Sequence, residues 1–353
     1  VITLEEACKK GETYKKKGDF EKRLKAIKSG DIASILYTSG TTGNPKGVML
    51  THNNFVSNVK NTLEGGIGKY LSPDDVFVSF LPLSHSLERM AGYYTAIEVG
   101  AKVAFAEDIS KLMENFQEVR PTCIISVPRI YEKVHTGILS KVADAPGLKK
   151  KIFNFAIGVA KQNLPYVCRN KQRPGLLNFK YNLADKLVFS KLKETLGMNR
   201  LRFAISGGGP LAVSDAEFFI GMGIKICEGF GLTETTPVTN YNRPDFIKPG
   251  TVGPAIPGTI VKIADDGEIL IKGPQVMKGY YKNPKATKEV FTKDGFFRTG
   301  DIGRIDEDGF LAITGRINDI IVTAGGKNIS PQNIENSLKE SHYIEHLSII
   351  GDR

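Results

Sequence analysis

No apolar run in the 353-residue chain approaches the roughly 18 residues that a membrane-spanning helix needs, which excludes a transmembrane protein for this stretch. Cysteine is scarce and scattered: Cys8, Cys123, Cys168 and Cys227 lie far apart and form no CxxC pair. That spacing argues against a disulfide scaffold and against a zinc site. It fits a reducing compartment, so a cytoplasmic protein is expected. No basic segment followed by an apolar core stands at the start, so no signal peptide is visible. The chain opens on Val1 rather than Met, and the expectation is a fragment without its true N-terminus. Internal repeats and low-complexity segments are also lacking.

What is present is ordinary in bulk and uneven in detail. Apolar residues make up 41% and charged residues 24%, as in soluble globular proteins. The length suffices for two domains or one large multi-lobed domain, each with its own core. Glycine, at 37 residues, exceeds the usual ~7% and points to tight turns or ligand-hugging loops. The net charge of +10 is localised: between Pro146 and Arg200 twelve basic residues face only Asp185 and Glu194. Such a block reads either as a solvated helical face or as an attractor for an anionic membrane surface or a phosphate-bearing ligand. No helix-turn-helix, finger or RNA-binding signature accompanies it, which weighs against nucleic acid.

Hydrophobic patterning predicts charged helices over Val1–Lys28, then a buried strand at Ile32–Tyr37. Further strands are expected at Val48–Leu50, Val76–Leu81, Val103–Ala106, Ile124–Val127, Phe203–Ser206 and Ile224–Cys227. Helical stretches between them include Ser110–Val119 and Leu148–Gln162. This alternation argues for an α/β fold of layered, mostly parallel sheets. After about Asn240 the character changes. Asp266-Gly267, Asp294-Gly295 and Asp308-Gly309 separate short alternating segments, the strongest short signal for hairpins and hence for an antiparallel β-rich part. A helix start at Ser330–Lys339 and a strand at Leu347–Ile350 complete the reading. The domain boundaries expected are 1–240 for the α/β part, 241–316 for the β-rich subdomain, and 317–353 for a hinge and the beginning of a small, mobile α+β C-terminal domain.

Five segments carry chemistry. Thr38–Gly47 packs three glycines, four hydroxyls and one lysine into ten residues. Glycines let backbone N–H groups approach an anion, and hydroxyls and lysine add donors and charge, so the loop suits phosphate or pyrophosphate. It is not a Walker A loop, because Gly47 follows Lys46. Ser206-Gly207-Gly208-Gly209-Pro210 follows a strand. Glu228-Gly229-Phe230-Gly231-Leu232-Thr233-Glu234-Thr235 follows another, and strand ends are where open α/β sheets bind ligands. A flat aromatic, a hydroxyl and a carboxylate there could hold a purine, a phosphate and a magnesium ion. Thr299-Gly300-Asp301-Ile302-Gly303, with Gly315-Arg316 beyond it, offers a carboxylate for ribose hydroxyls and a guanidinium. Thr323–Pro331 forms a glycine-bearing loop into a helix.

In this order, YTSGTTGNPKGVMLTH, GFGLTETTP, GEILIKGPQVMKGYYKNP, TGDIG and GRINDIIVTAGGKNISP closely resemble the adenylate-forming superfamily. That superfamily holds acyl- and aryl-CoA synthetases, peptide-synthetase adenylation domains and firefly luciferase. The stretch PTCIISVPRIYEKV and the basic insert after it look most like long-chain fatty acyl-CoA synthetases. The resemblance implies activation of a fatty acid by Mg-ATP to an acyl-adenylate, then thioester formation with CoA. A ligase that delivers the acyl group to a carrier protein, or a catalytically impaired nucleotide binder, is the alternative.

By position, the resemblance gives Thr38, Ser39, Gly40, Thr41, Thr42, Gly43 and Lys46 to the β- and γ-phosphates. It gives Thr233 to the α-phosphate and Glu234 to Mg²⁺. Gly207, Gly208 and Gly209 would line the adenine pocket with Phe230 and Gly231. Relatives often have tyrosine where Phe230 stands; stacking survives the change and a hydroxyl contact does not. Asp301 would bind the ribose hydroxyls, assisted by Arg316, and Ile313 would pack on the purine or in the core. His85 falls near the expected substrate carboxylate, or else is a half-exposed structural histidine. His52 supports the phosphate loop. Asn318 matches the pivot of the C-terminal domain, and Gly325 and Gly326 would let the CoA pantetheine pass. Tyr93, Tyr94, Phe155 and Phe203 are candidates for an acyl tunnel. The family's catalytic lysine would lie beyond Arg353, so the expectation is a chain that binds ATP or acyl-adenylate and adenylates poorly.

Overall fold

β-Branched and aromatic runs set the strands. In this computed structural model the described residues are 2–14, 18–38, 44–322, 328–329, 331–338, 344 and 347–351. The N-terminal segment forms two exposed helices, Leu4–Glu12 and Asp19–Ala26, as its wide apolar spacing predicts. A hairpin of β1 (Ile32–Thr38) and β2 (Lys46–Thr51) follows, with Thr38 directly opposite Lys46.

The main sheet takes β3 (Val76–Ser79), β4 (Lys102–Phe105), β5 (Cys123–Ser126), β6 (Phe203–Ser206), β7 (Lys225–Gly231) and β8 (Val238–Tyr241). Its order is β4-β3-β5-β6-β7-β8. All neighbours run parallel except β7 and β8, which are antiparallel. Ile124 and Ala204 on one face of β5 and β6, and Cys123, Ile125 and Phe203 on the other, suit a sheet covered on both sides. One face carries a core with Phe116, Tyr131, Phe189, Phe219 and Met222, supplied largely by helices Pro128–Ala143, Gly147–Val167 and Val213–Gly221. The other face carries Phe55, Phe77, Met90, Ile125 and Phe203.

Two antiparallel sheets lie downstream, as the Asp-Gly pairs predict. β9 (Ile260–Ile263), β10 (Glu268–Lys272), β12 (Phe297–Ile305) and β13 (Leu311–Arg316) form one, in the order β13-β12-β10-β9. The two-residue strand β11 (Gly279–Tyr280) instead returns to β2 and completes a three-stranded sheet with the N-terminal hairpin. Last come β14 (Ile321–Val322), paired with β15 (Asn328–Ile329), and a helix Pro331–Leu338.

Two expectations need correction. The strand expected at Ile224–Cys227 does not stop at Cys227: β7 runs on through Glu228-Gly229-Phe230-Gly231, and β8 pairs with that segment. Leu347–Ile350 is not a strand, having no ladder partner among the described residues. Among the described residues no helix is long and apolar enough to cross a membrane.

Candidate active site

A cavity of about 390 Å³ opens at the C-terminal ends of β6 and β7, within the size range of small-molecule sites. Parallel strands deliver their loops there, and the two other sheets close over them. Of the residues singled out by sequence, Thr38, Lys46, His85, Gly207, Gly208, Phe230, Gly231, Thr233, Glu234 and Arg316 all line it.

Thr38 and Lys46 face each other at the mouth of the β1–β2 hairpin, so the phosphate-loop candidate springs from the cavity wall. Ser39, Gly40, Thr41, Thr42 and Gly43 themselves lie outside the described residues, as do Gly325 and Gly326. β11 ties this hairpin to the rest of the site. Tyr281 N–H donates to the Gly47 carbonyl (2.7 Å), and Met277 N–H to that of Glu234 (2.8 Å). Tyr280 then donates its hydroxyl to Glu234 Oε1 at 2.9 Å, while Lys46 Nζ stands 5.2 Å from the Tyr280 ring. Burial and the Glu234 charge push the Tyr280 phenol pKa up.

Glu234 sits in a single tight turn, Thr233–Thr235, fixed from both sides. Leu232 N–H donates to Thr235 Oγ1 (2.9 Å), and Thr236 takes a left-handed conformation. Gly231 admits no side chain: a Cβ there would lie 1.7 Å from the Pro237 carbonyl oxygen. Gly208 has φ of +80°, the one position of the glycine trio whose backbone demands glycine.

Asp301 and Arg316 are cross-strand partners in β12 and β13. Arg316 Nε donates to Asp301 Oδ1 at 2.9 Å. Asp301 is 4% exposed, and burial raises its pKa against the opposing pull of Arg316. The charges of Asp319 and Glu234 also reach it. Behind it, Thr299 Oγ1 accepts from Asp301 N–H (3.0 Å), and the buried Glu268 Oε1 accepts from Gly300 N–H (2.9 Å). Arg298 Nη2 holds Glu268 Oε2 at 2.6 Å. The Thr299–Asp301 corner is therefore held by side chains and not by a ladder alone. Asp301 stands behind Arg316 rather than in the lining itself.

His85 stands at the rim, solvent-accessible on one side. Its Nδ1 accepts from Leu87 N–H (3.2 Å), and partial desolvation lowers its pKa. Much of the rest of the wall is apolar, with Ile67, Leu71, Phe77, Ala91, Ile125 and Phe203, and the hydroxyls of Thr62, Ser86, Thr95 and Tyr241 lie among them. The apolar side chains belong to the core on one face of the main sheet, whereas Thr38, Lys46, Tyr280, Thr299 and Arg316 come from the smaller sheets and Thr233 and Glu234 from the turn between β7 and β8. The cavity therefore joins a charged region to an apolar one.

Several expectations do not meet the cavity. Gly209 is exposed and outside the lining. Tyr94 packs edge-on against Phe55 (5.4 Å between centroids) and Phe155 is 41% exposed on its helix, so of the four tunnel candidates only Phe203 lines the space. Ile313 packs in the small β core. Asn318 falls in the short turn Ile317–Asp319 after β13. Sequence reasoning missed Tyr280, Thr95 and the Ile67–Leu71 wall. Tyr280 lies inside a motif already quoted, but its role depends on β11 pairing with a strand far away in sequence.

With this geometry in hand, the AMP-binding enzyme pattern matches residues 1–281. The chain belongs to the AMP-binding enzyme family. This AMP-binding enzyme is 42% identical over 338 residues to the long-chain-fatty-acid–CoA ligase FadD15 of Mycobacterium bovis, covering 94% of this chain and 54% of that protein. It is 38% identical over 343 residues to the peroxisomal long chain acyl-CoA synthetase 7 of Arabidopsis thaliana, covering 92% and 47%. It thus spans about half the length of these curated relatives. Among solved structures, ATP-bound MatB from Rhodopseudomonas palustris matches with a TM-score of 0.65 at 28% identity, covering 89% of this chain and 54% of that one.

Proposed function

We propose that the protein activates a long-chain fatty acid with ATP to an acyl-adenylate, releasing pyrophosphate, and then forms the CoA thioester with release of AMP. The observation that carries this reading is one cavity whose polar wall holds Lys46, Thr233, Glu234 and Arg316 and whose other wall is largely apolar. An acyl-adenylate has that same polarity.

In the first step the fatty-acid carboxylate attacks the α-phosphorus and pyrophosphate leaves. No enzyme nucleophile is needed; the task is to hold two anions together and to meet the growing charge. Lys46 supplies positive charge at the hairpin mouth and Thr233 a hydroxyl donor toward the α-phosphate. Phe230 offers a face for the adenine beside Gly207, Gly208 and Gly231. Arg316, which lines the cavity and is held by the buried Asp301 behind it, meets the ribose oxygens. His85 at the rim meets the carboxylate of the acid. In the second step the thiol attacks the acyl carbonyl and the C–O bond to AMP breaks.

Magnesium arriving on the nucleotide fits the residues present. Such an ion takes one or two carboxylates and leaves its other positions to phosphate and water. Glu234 is one carboxylate facing the cavity, and among the described residues there is no cluster of three or more metal-ligating side chains. The ion would supply charge neutralisation at the phosphates. We assign residues 1–240, 241–316 and 317–353 to the α/β part, the β-rich subdomain and the start of a pivoting C-terminal domain. This domain reading is supported by the switch from the mostly parallel sheet to antiparallel ones.

Calorimetric titration with AMP tests the nucleotide half. One-site binding is expected, weakened about tenfold or more in Asp301→Asn, which loses the charged acceptor that holds Arg316, worth ~1.5–3 kcal/mol. Absence of saturable AMP binding, or an unchanged constant in the variant, overturns it.

A further inference from the structure

Three of the twelve basic residues of the 146–200 block, together with Lys225, line a second hollow at the other end of the main sheet. It measures about 670 Å³, and four cations line it: Lys171, Arg173, Lys193 and Lys225. No Asp or Glu is in its lining. Lys225 opens β7, whose far end, Gly229–Gly231, lines the nucleotide cavity. At ~3.3 Å per residue the two hollows are about 13–20 Å apart along one strand.

Only one of the four cations is neutralised. Lys193 Nζ pairs with Asp185 Oδ1 at 2.9 Å. Among the described residues no carboxylate lies within ion-pair distance of Lys171, Arg173 or Lys225. Arg173 is stacked over the Tyr181 ring at 3.8 Å, which fixes the plane of its guanidinium. Lys225 is half-buried, and its ammonium donates to the neutral Asn170 Oδ1 at 3.1 Å. Burial lowers its pKa, outweighing opposing pulls that include the more distant Asp245 carboxylate.

The backbone adds to the field. The helix Gly175–Ala184 begins between two lining residues, Arg173 and Asn178, and has no side-chain cap. Residues 174–177 are not themselves in the lining, so the helix starts beside the hollow, with the positive end of its dipole close to it, and makes no N–H contact within it. The carbonyls that end the preceding helix are already taken: Leu164 by Cys168 N–H, Tyr166 by Lys171 N–H and Val167 by Asn170 N–H. Like charges held together in a partly desolvated hollow repel, and an anion with several acceptor oxygens relieves that repulsion.

We propose that this hollow is a phosphate-binding site, distinct from the nucleotide cavity, which takes a phosphate monoester. A guanidinium fork and two ammonium groups match a dianionic phosphate with three acceptor oxygens. The monoester belongs either to a free phosphorylated compound or to a phosphatidic-acid headgroup.

The test is calorimetric titration with inorganic phosphate while AMP saturates the other cavity, alongside co-sedimentation with phosphatidylcholine vesicles doped with phosphatidic acid or, separately, with phosphatidylglycerol. One-site phosphate binding is expected, weakened about tenfold or more in Lys171→Gln/Arg173→Gln, which loses two charge-assisted contacts. The same change is not expected in Lys22→Gln/Lys25→Gln, which removes equal charge from an exposed N-terminal helix. Preference for phosphatidic acid over phosphatidylglycerol, lost in the double variant, supports the headgroup as the source. Phosphate binding without that preference supports a free phosphate compound. If the double variant fails to fold, acetylation footprinting of the wild-type chain decides: phosphate should protect Lys171 and Lys225 but not Lys22. Absence of saturable binding of either probe, equal weakening in the control variant, or uniform footprints would overturn the site.

Discussion

Two glutamates are buried without a cationic partner, and they set how the fold responds to pH. Glu88 is 1% exposed, and its Oε2 reaches no hydrogen-bond partner among the described residues. Its other oxygen lies 2.7 Å from where a Cβ on Gly92 would stand, so the carboxyl is wedged into its own wide helical turn, Glu88–Tyr94. Burial pushes its pKa from 4.5 up to about 7. Glu228, under the glycine trio, is raised by burial to about 7 as well, although N–H groups of Leu211 and Gly250 favour its charged form. Between pH 4.5 and about 7 the folded chain keeps protons that the unfolded chain releases. The stabilisation is complete below that window, falls as pH rises through it, and is gone above it. At ~1.4 kcal/mol per pKa unit the loss is about 3.5 kcal/mol at most for each glutamate. His85, with its lowered pKa, acts in the opposite direction over part of the window, so the informative quantity is the difference between a variant and the wild type. Glu88→Gln keeps the shape and removes the titration. Urea unfolding followed by far-UV circular dichroism, at intervals from pH 5 to pH 8, should show wild type losing stability relative to the variant by about 2–3 kcal/mol. Parallel curves for the two chains would refute the reasoning.

Other outcomes follow from the same geometry. Tyr280→Phe removes the hydroxyl bond to Glu234 and should cost about 1–2 kcal/mol in urea unfolding; an unchanged midpoint contradicts the contact. Gly231→Ala drives a Cβ into the Pro237 carbonyl and should destabilise by about 3 kcal/mol or more, whereas a variant as stable as wild type refutes the close approach. Glu268→Ala orphans the Gly300 N–H, so AMP affinity measured by calorimetry should fall about tenfold. Equal affinity would mean that the Thr299–Asp301 corner needs no buried carboxylate.

The sequence was most legible where local pattern and final contact coincide. Apolar runs marked the main-sheet strands because both faces of that sheet are covered, and Asp-Gly pairs marked the later turns because their glycines take positive φ. Thr38 and Lys46, Phe230 to Glu234, and Arg316 stand on motifs whose glycines and hydroxyls announce close approach to a ligand. Less was legible where an outcome depends on partners remote in sequence. Tyr280 reaches Glu234 only because β11 leaves its neighbours to join β2. The apolar wall of the cavity draws on Ile67, Leu71 and Phe77, ordinary core residues until a sheet places a hollow beside them. Tyr93, Tyr94 and Phe155 illustrate the converse, because aromatic bulk alone does not say which side of a helix faces a cavity.

The most direct test of the central claim is thermal shift with stable acyl-adenylate analogues carrying two, eight and sixteen carbons. The account predicts stabilisation that grows with chain length, since each buried methylene adds ~0.8 kcal/mol and tighter ligands raise the melting temperature further. Equal shifts for all three would contradict the apolar wall as an acyl site, and no shift with any of them would contradict the cavity as an adenylate site.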